Sequence, residues 1–445
     1  MPPLTVALLA TLLPTALLGQ AIAFTNVNVV PMDRARVLSD QTVVVRNGMI
    51  IAVGPANTVS IPDDAARIDG RGKWLMPGLA EMHAHVPGGQ NPAYADNILF
   101  LYIASGVTTI RGMLGAPPHV TLRRDLEAGT TLGPRLWTSG PSVNGNSVPS
   151  ADSAARAARS QHAQGYDFIK IHPGLSREAF DALDAVADSL GFRYAGHVPV
   201  AVGVRRALEA GYWSIDHLDG YIEEAAGAAS GTGWFGAAVA HQADPAVLAE
   251  LVRVTAAAGV WSVPTQTLME SYGSDASVEE WAALHPEIRY MPPQWRQQSF
   301  TFKHDAIDKG PPAAHREHWL TLRRQLIRDL YRETGRVLLG SDAPQVWNVP
   351  GFSAIRELET YVAAGLTPYE ALTTGTTAVA RYFDVANVAG TVEVGRRADL
   401  ILLDANPLEN VGNLRRRAGV MLRGRWLPAA ELDARLQEIA AAYAQ

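Results

Sequence analysis

The chain has no cysteine among its 445 residues. Disulfides, thiolate nucleophiles and cysteine-held zinc are therefore excluded, and any metal must be held by His, Asp, Glu or a modified Lys. Charge is sparse: charged residues make up 18% against 47% hydrophobic ones, the balance of a globular chain and not of a disordered one. The net charge is −6 and no run of Lys or Arg forms a basic stripe, so nucleic acid is not expected as a partner.

The N-terminus lacks charge altogether up to Asp33. Leu4–Ala21 is apolar, is broken by Pro14 and falls short of the ~20 residues of a membrane span. Its small residues at the end resemble a secretory cleavage site, so residues 1–21 are expected to form a signal-like leader cut after Ala21 or Ala23. That predicts a periplasmic or secreted protein with no stable membrane span after the leader is removed. The absence of Lys or Arg before the apolar run departs from the usual signal, and without a working signal the chain would stay in the cytoplasm.

What is present reads in two styles. Residues 22–76 hold short strand patterns, with Asn47-Gly48 as a hairpin signal, and a second strand-rich block lies within 386–430. Together they predict one small β-domain built from both chain ends. Between them, apolar runs at 77–86, 107–112, 134–140, 167–172, 193–198, 213–218, 260–266 and 336–343 alternate with amphipathic helices. Eight β-units of this kind predict an α/β protein with a (β/α)8 TIM barrel over 77–385. The long connection 269–335 is expected to be a helical lid, and 431–445 a C-terminal helix.

The polar residues fall where such a barrel would use them. His83 and His85 end the first run, Lys170 and His172 the fourth, His197 the fifth, His217 the sixth and Asp342 the eighth. Barrel active sites lie at the C-terminal strand ends. Residues two apart on a strand face the same way, so His83 and His85 either share one cation or are two buried histidines with local partners. Lys170 in "FIKIH" is surrounded by apolar residues, and burial favours its neutral amine. Such an amine can take up CO2 as a bridging carbamate, or it can pair with an acid such as Asp342. Asp342 is a turn aspartate or a proton shuttle. Arg111 either binds a substrate carboxylate or oxyanion, or makes an ion pair. His172 either touches substrate or supports the site. His119, His162, His241, His285, His304, His315 and His318 are read as mostly solvated, with His304 or His315 able to reach down from the lid.

The stretches "GRGKWLMPGLAEMHAHV", "YDFIKIHPGLS", "YAGHVP", "SIDHLDGY", "LLGSDAP" and "GTVEVGRRADLILLDANPLENV" together resemble the metal-dependent amidohydrolase superfamily, over about residues 22–425. The nearest branch is similar to imidazolonepropionase-related and prolidase-like enzymes. The resemblance implies that the β-domain from both chain ends is a β-sandwich, and it implies two divalent metal ions, most often zinc. His83 and His85 would hold the first, His197 and His217 the second, and N6-carboxylated Lys170 would bridge them. Asp342 would contact the first metal and act as general acid/base. Lys170 favours the prolidase-like branch, where a tyrosine often stands at the position of His172. The function expected is cleavage of a C–N bond, amide or dipeptide-like, by a metal-activated hydroxide. The substrate would be a small molecule with a free carboxylate, anchored by Arg111 or His172. A lactone, ester or phosphoester hydrolase on the same site is the alternative, and a non-catalytic metal-binding protein is more distant. A homo-oligomer is compatible with the sequence.

Overall fold

A computed structural model describes residues 19–89, 91–227 and 234–444. The expected leader therefore lies outside the described residues except for its last three positions. Fifteen strands are described: β1 (Ile22–Val29), β2 (Leu38–Arg46), β3 (Met49–Pro55), β4 (Ala66–Asp69), β5 (Trp74–Pro77), β6 (Leu79–Ala84), β7 (Val107–Gly112), β8 (Arg135–Thr138), β9 (Ile169–Ile171), β10 (Tyr194–Gly196), β11 (Ser214–Asp216), β12 (Trp261–Val263), β13 (Leu400–Leu403), β14 (Arg417–Leu422) and β15 (Arg425–Pro428).

Strands from both ends of the chain share one sheet. Its order is β15-β14-β13-β5-β1-β2-β3, with β4 added against β1. The join is antiparallel, from Leu400 opposite Pro77 to Leu403 opposite Trp74. Alternate residues Phe24, Val43, Val45, Leu75, Leu400, Leu402 and Met421 make its core, as the period-2 pattern requires. Asn47 and Gly48 both take positive φ, 52° and 73°, which matches the right-handed strand twist in a tight hairpin. The expected β-domain from both chain ends is one continuous hydrogen-bonded sheet.

The middle of the chain is α/β. β6-β7-β8 form one parallel sheet and β9-β10-β11-β12 another. Every residue of β6, β9, β10 and β11 is buried, as strands covered on both faces must be. Single parallel bridges link the two sheets: Ser139 with Phe168, Ser262 with Val337, and Ala84 with Ala343. The eighth apolar run, 336–343, therefore lies between β12 and β6 without being a full strand. Met82 N donates to Leu339 O at 2.7 Å, Asp342 N to His83 O at 2.9 Å, and buried Glu81 accepts from Ser341 N and Oγ. Burial raises Glu81 to about 8 despite those donors.

The 269–335 segment is helical, with Gln266–Gly273, Val278–Leu284, Pro293–Asp308 and Ala313–Thr334. The last of these buries Trp319, Leu322, Arg323, Leu326, Ile327 and Leu330, one face at helical spacing. The C-terminal helix runs Ala429–Ala442 and buries Leu432, Leu436 and Ile439. Among the described residues no helix is long and apolar enough to cross a membrane.

Candidate active site

The candidate ligands other than Asp342 sit in or just past the parallel strands. His83 is in β6 and His85 one residue beyond it; Lys170 is in β9; His197 and His217 follow β10 and β11 directly. Asp342 lies in the bridged run beside β6. His217 and Asp342 have φ of 63° and 66°, and Thr265 after β12 has 51°. Left-handed non-glycine residues cost roughly 1–3 kcal/mol each and persist only where the surroundings hold them. Arg323 does part of that holding. Its Nη1 donates to His217 O and its Nη2 to Pro264 O, both at 2.8 Å. Glu357 holds the next turn, accepting from Gln266 N at 2.7 Å and Thr267 N at 2.6 Å.

All six expected ligands come together. His85 Nε2 is 2.6 Å from Asp342 Oδ1, and His83 Nε2 is 3.4 Å from the same oxygen. Lys170 Nζ is 3.4 Å from His83 Nε2. The ring of His217 lies 4.6 Å from that of His83 and 4.4 Å from that of His197. The tightest group is His83, His217 and Asp342, whose ligand atoms all lie within 4.8 Å of one another. His217 Nδ1 is satisfied by Thr265 Oγ1 at 2.9 Å, while its buried Nε2 has no hydrogen-bond partner. His197 Nδ1 is 2.7 Å from Asp219 Oδ2, which leaves Nε2 as the nitrogen that could hold a metal.

The electrostatics favour neutral ligands. Burial first, and then the neighbouring Lys170 and His85, push His83 well below the usual imidazole range. Burial followed by His197 and His83 does the same to His217. Lys170 is lowered by burial, against the pull of Asp216 and Asp342. His172 sits at the edge of the group, its ring 5.5 Å from His197 and its Nδ1 2.9 Å from Ser142 Oγ. Burial and then Lys170 and His197 lower it to about 2, so it offers a hydrogen bond and not a charge.

Two expectations are corrected. Arg111 does not face a substrate. It is fully buried, and its guanidinium is used up by Met82 O, Ser214 Oγ, the Tyr382 hydroxyl and Asp216. Nor are all the other histidines solvated: His119 and His285 are buried, with ring nitrogens close to the carbonyls of Pro87 and Trp281. His304 is exposed and paired with Asp308, and His315 stacks on His241 at 4.2 Å, so neither reaches the cluster.

Asp216, Asp219, Thr265 and Arg323 are the functional neighbours that pattern reasoning did not single out. Asp216 Oδ2 lies 2.9 Å from His83 Nδ1, off the line of a hydrogen bond, and 3.8 Å from Lys170 Nζ. Burial alone would raise Asp216, but Arg111, Lys170 and His217 outweigh it and leave it below the usual carboxylate range. Carboxylates commonly orient ligand histidines. The acids flanking His217 in "SIDHLD" were the available signal.

Gly196 is what lets Lys170 pass. A Cβ there would stand 2.6 Å from Lys170 Cδ and 2.5 Å from Ile171 O, and its φ is +126°. Gly196→Ala is expected to displace the Lys170 side chain and to reduce bound metal more than it lowers the melting temperature. Metal analysis beside a thermal melt checks this; unchanged metal content in a destabilised protein would make Gly196 a backbone feature only.

Residues 74–427 match the amidohydrolase family. An enamidase of Eubacterium barkeri is 34% identical over 99 residues, which are 22% of this chain and 25% of that protein. The match thus spans about a quarter of that relative's length. A solved structure assigned as a prolidase from Bifidobacterium longum superposes with a TM-score of 0.68 at 25% identity, over 95% of this chain and 99% of the other. A bottromycin amidohydrolase superposes with a TM-score of 0.73 over 95% of this chain and 91% of its own, at 23% identity, which speaks to the fold alone.

Proposed function

The chain belongs to the amidohydrolase family, and from that premise we propose that it hydrolyses the C–N bond of an amide or dipeptide-like small molecule carrying a carboxylate. The observation that carries the reading is the His83, His217 and Asp342 group, with a buried His217 Nε2 that has no protein partner. Two imidazoles held neutral and one carboxylate fit a divalent cation, and His with carboxylate oxygen suits zinc. In this reading His83, His85 and Asp342 would hold one ion and His197 and His217 a second, with Lys170 between them. When bound, such ions supply Lewis acidity and make water at the site more acidic.

The chain's own residues do the rest. Asp342 takes a proton from the attacking water and returns it to the leaving nitrogen. His85 Nε2 lies 2.6 Å from Oδ1, so this imidazole and that carboxylate would face the same ion. Asp219 and Thr265 fix which nitrogens of His197 and His217 face inward. The Lys170 amine, driven toward neutrality, is suited to add CO2, with an N–C bond formed and one proton lost to solvent; the carbamate would then offer oxygen ligands at the ion site. With Arg111 committed elsewhere, His172 is the remaining candidate among the expected anchors, and it meets a substrate carboxylate as a neutral donor.

We also read the eight parallel units as a (β/α)8 barrel with this cluster at its C-terminal rim. The composite sheet over 22–76 and 386–430 and the barrel over 77–385 are proposed as the two domains, with the 269–335 helices as lid.

The test is metal analysis with activity. The purified protein is expected to carry two divalent ions per chain and to hydrolyse N-acyl amino acids or Xaa-Pro dipeptides. Chelation should abolish hydrolysis and readdition of zinc restore it. A single metal with a bare amine at Lys170 in a high-resolution map would overturn the binuclear reading; activity that survives complete metal removal would overturn the metal-dependent one.

A further inference from the structure

Beyond the polar cluster, three half-buried rings run outward from His217. Phe235 lies 5.7 Å from the His217 ring, Tyr272 lies 5.7 Å from Phe235 with the planes 27° apart, and Phe302 lies 4.6 Å from Tyr272. They come from three separate segments: the turn Trp234–Gly236, the helix Gln266–Gly273 that follows β12, and the helix Pro293–Asp308.

The row is fixed at its inner end. Phe235 holds a left-handed backbone, φ 50° and ψ 46°. Its carbonyl accepts from Nε1 of buried Trp319 at 2.9 Å. A bulky residue in that conformation is a true outlier, and such outliers cluster at ligand clamps. Burial first, and then the charge of Asp342, raise the Tyr272 hydroxyl above the usual phenol range. Ring-on-ring packing alone would explain contact between neighbours. It would not explain why a strained backbone is pinned to bring an apolar ring beside a candidate metal ligand, in a site otherwise built from imidazole and carboxylate.

We propose that Phe235, Tyr272 and Phe302 form the specificity subsite of this active site and take a flat apolar side chain, aromatic by preference, on the acyl or amine part of the substrate. The substrate class thus narrows from any C–N compound with a carboxylate to one with an aromatic substituent near the scissile bond. This rests on the C–N reading above. Offset stacking and edge contacts with three rings would reward an aromatic group beyond its area alone.

The experiment uses the metal-loaded full chain. kcat/KM is measured for N-acetyl-phenylalanine against N-acetyl-alanine, and for phenylacetate against acetate esters, with Phe235→Ala and Phe302→Ala as variants. Binding of free phenylalanine and alanine is followed by calorimetry. Wild-type protein is expected to favour the aromatic amide by about 10–200-fold, the range a hydrophobic pocket supplies. Each variant should reduce that ratio, whereas a merely structural role would lower both rates together. An aromatic preference seen only with esters keeps the subsite and overturns the C–N reading. Equal rates for the two amides, or a ratio that neither variant moves, overturns the subsite and keeps the C–N reading. If neither substrate class turns over, binding decides: phenylalanine bound no tighter than alanine overturns the subsite.

Discussion

Asp342→Asn is expected to lower turnover by about 10²–10⁴-fold, the range general acid–base groups contribute, while the protein stays folded and metal stays bound. Asparagine keeps the size of the side chain and the oxygen that lies 2.6 Å from His85 Nε2. It also tolerates the left-handed backbone at φ 66° better than most residues. What it loses is the ability to accept and return a proton. Steady-state kinetics, metal analysis and a thermal melt on the same preparation separate these effects. Full activity in a folded, metal-loaded variant would remove Asp342 from the chemistry.

The second large effect is on stability. Arg111→Met should cost about 3–5 kcal/mol, because it strands a buried carboxylate. Arg111 and Asp216 are both fully buried, and Nη2 sits 3.2 and 3.3 Å from the two Asp216 oxygens. After the substitution Ser214 Oγ, at 2.8 Å, would be its one remaining side-chain hydrogen bond, with the neutral ring of His83 at 2.9 Å and Lys170 at 3.8 Å beside it. A loss of this size is a large part of the ~5–15 kcal/mol that holds a typical domain folded. The double variant Arg111→Met with Asp216→Asn should recover much of it, since no charge is left uncompensated. Urea midpoints of the wild type, both single variants and the double variant make the comparison. A single-variant loss below ~1 kcal/mol, the scale of exposed ion pairs, would mean that water reaches Asp216.

The clustering of the candidate residues was legible in the chain because parallel strands impose a simple rule. Apolar runs end, and the residues at their ends face one rim. His83, His85, Lys170, His197, His217 and Asp342 could each be placed by that rule without knowing the packing. Arg111 obeyed the same rule and deceived it. It also lies near a strand end, but its side chain is long enough to turn under the cluster and meet Ser214, Asp216 and Tyr382. Reach of that kind has no signature in spacing. The two buried histidines, His119 and His285, show a similar limit, since their partners are backbone carbonyls that every residue carries. Arg323 lies far from the strand ends, in the middle of a helix 22 residues long, and only the tertiary fold brings it onto His217 O. The composite sheet was legible as two strand-rich blocks. That they hydrogen-bond as one sheet depends on Leu400–Leu403 meeting Trp74–Pro77.

That pairing also sets an order of events during synthesis. β5 ends at Pro77 and the histidine-bearing β6 begins at Leu79, so the first strand of the cluster is anchored on the sheet that β13 completes. Gly78 N, between them, donates to Asp399 O at 2.8 Å. The anchor cannot form until residues 399–403 have left the ribosome. Closing so long a loop costs little extra free energy, because the entropy grows only with the logarithm of its length, but contacts this distant form slowly. The root of the histidine-bearing strand is therefore among the last parts of the molecule to be set. Until then His83 and His85 belong to a strand whose root is still loose, and metal capture should follow chain completion instead of guiding it.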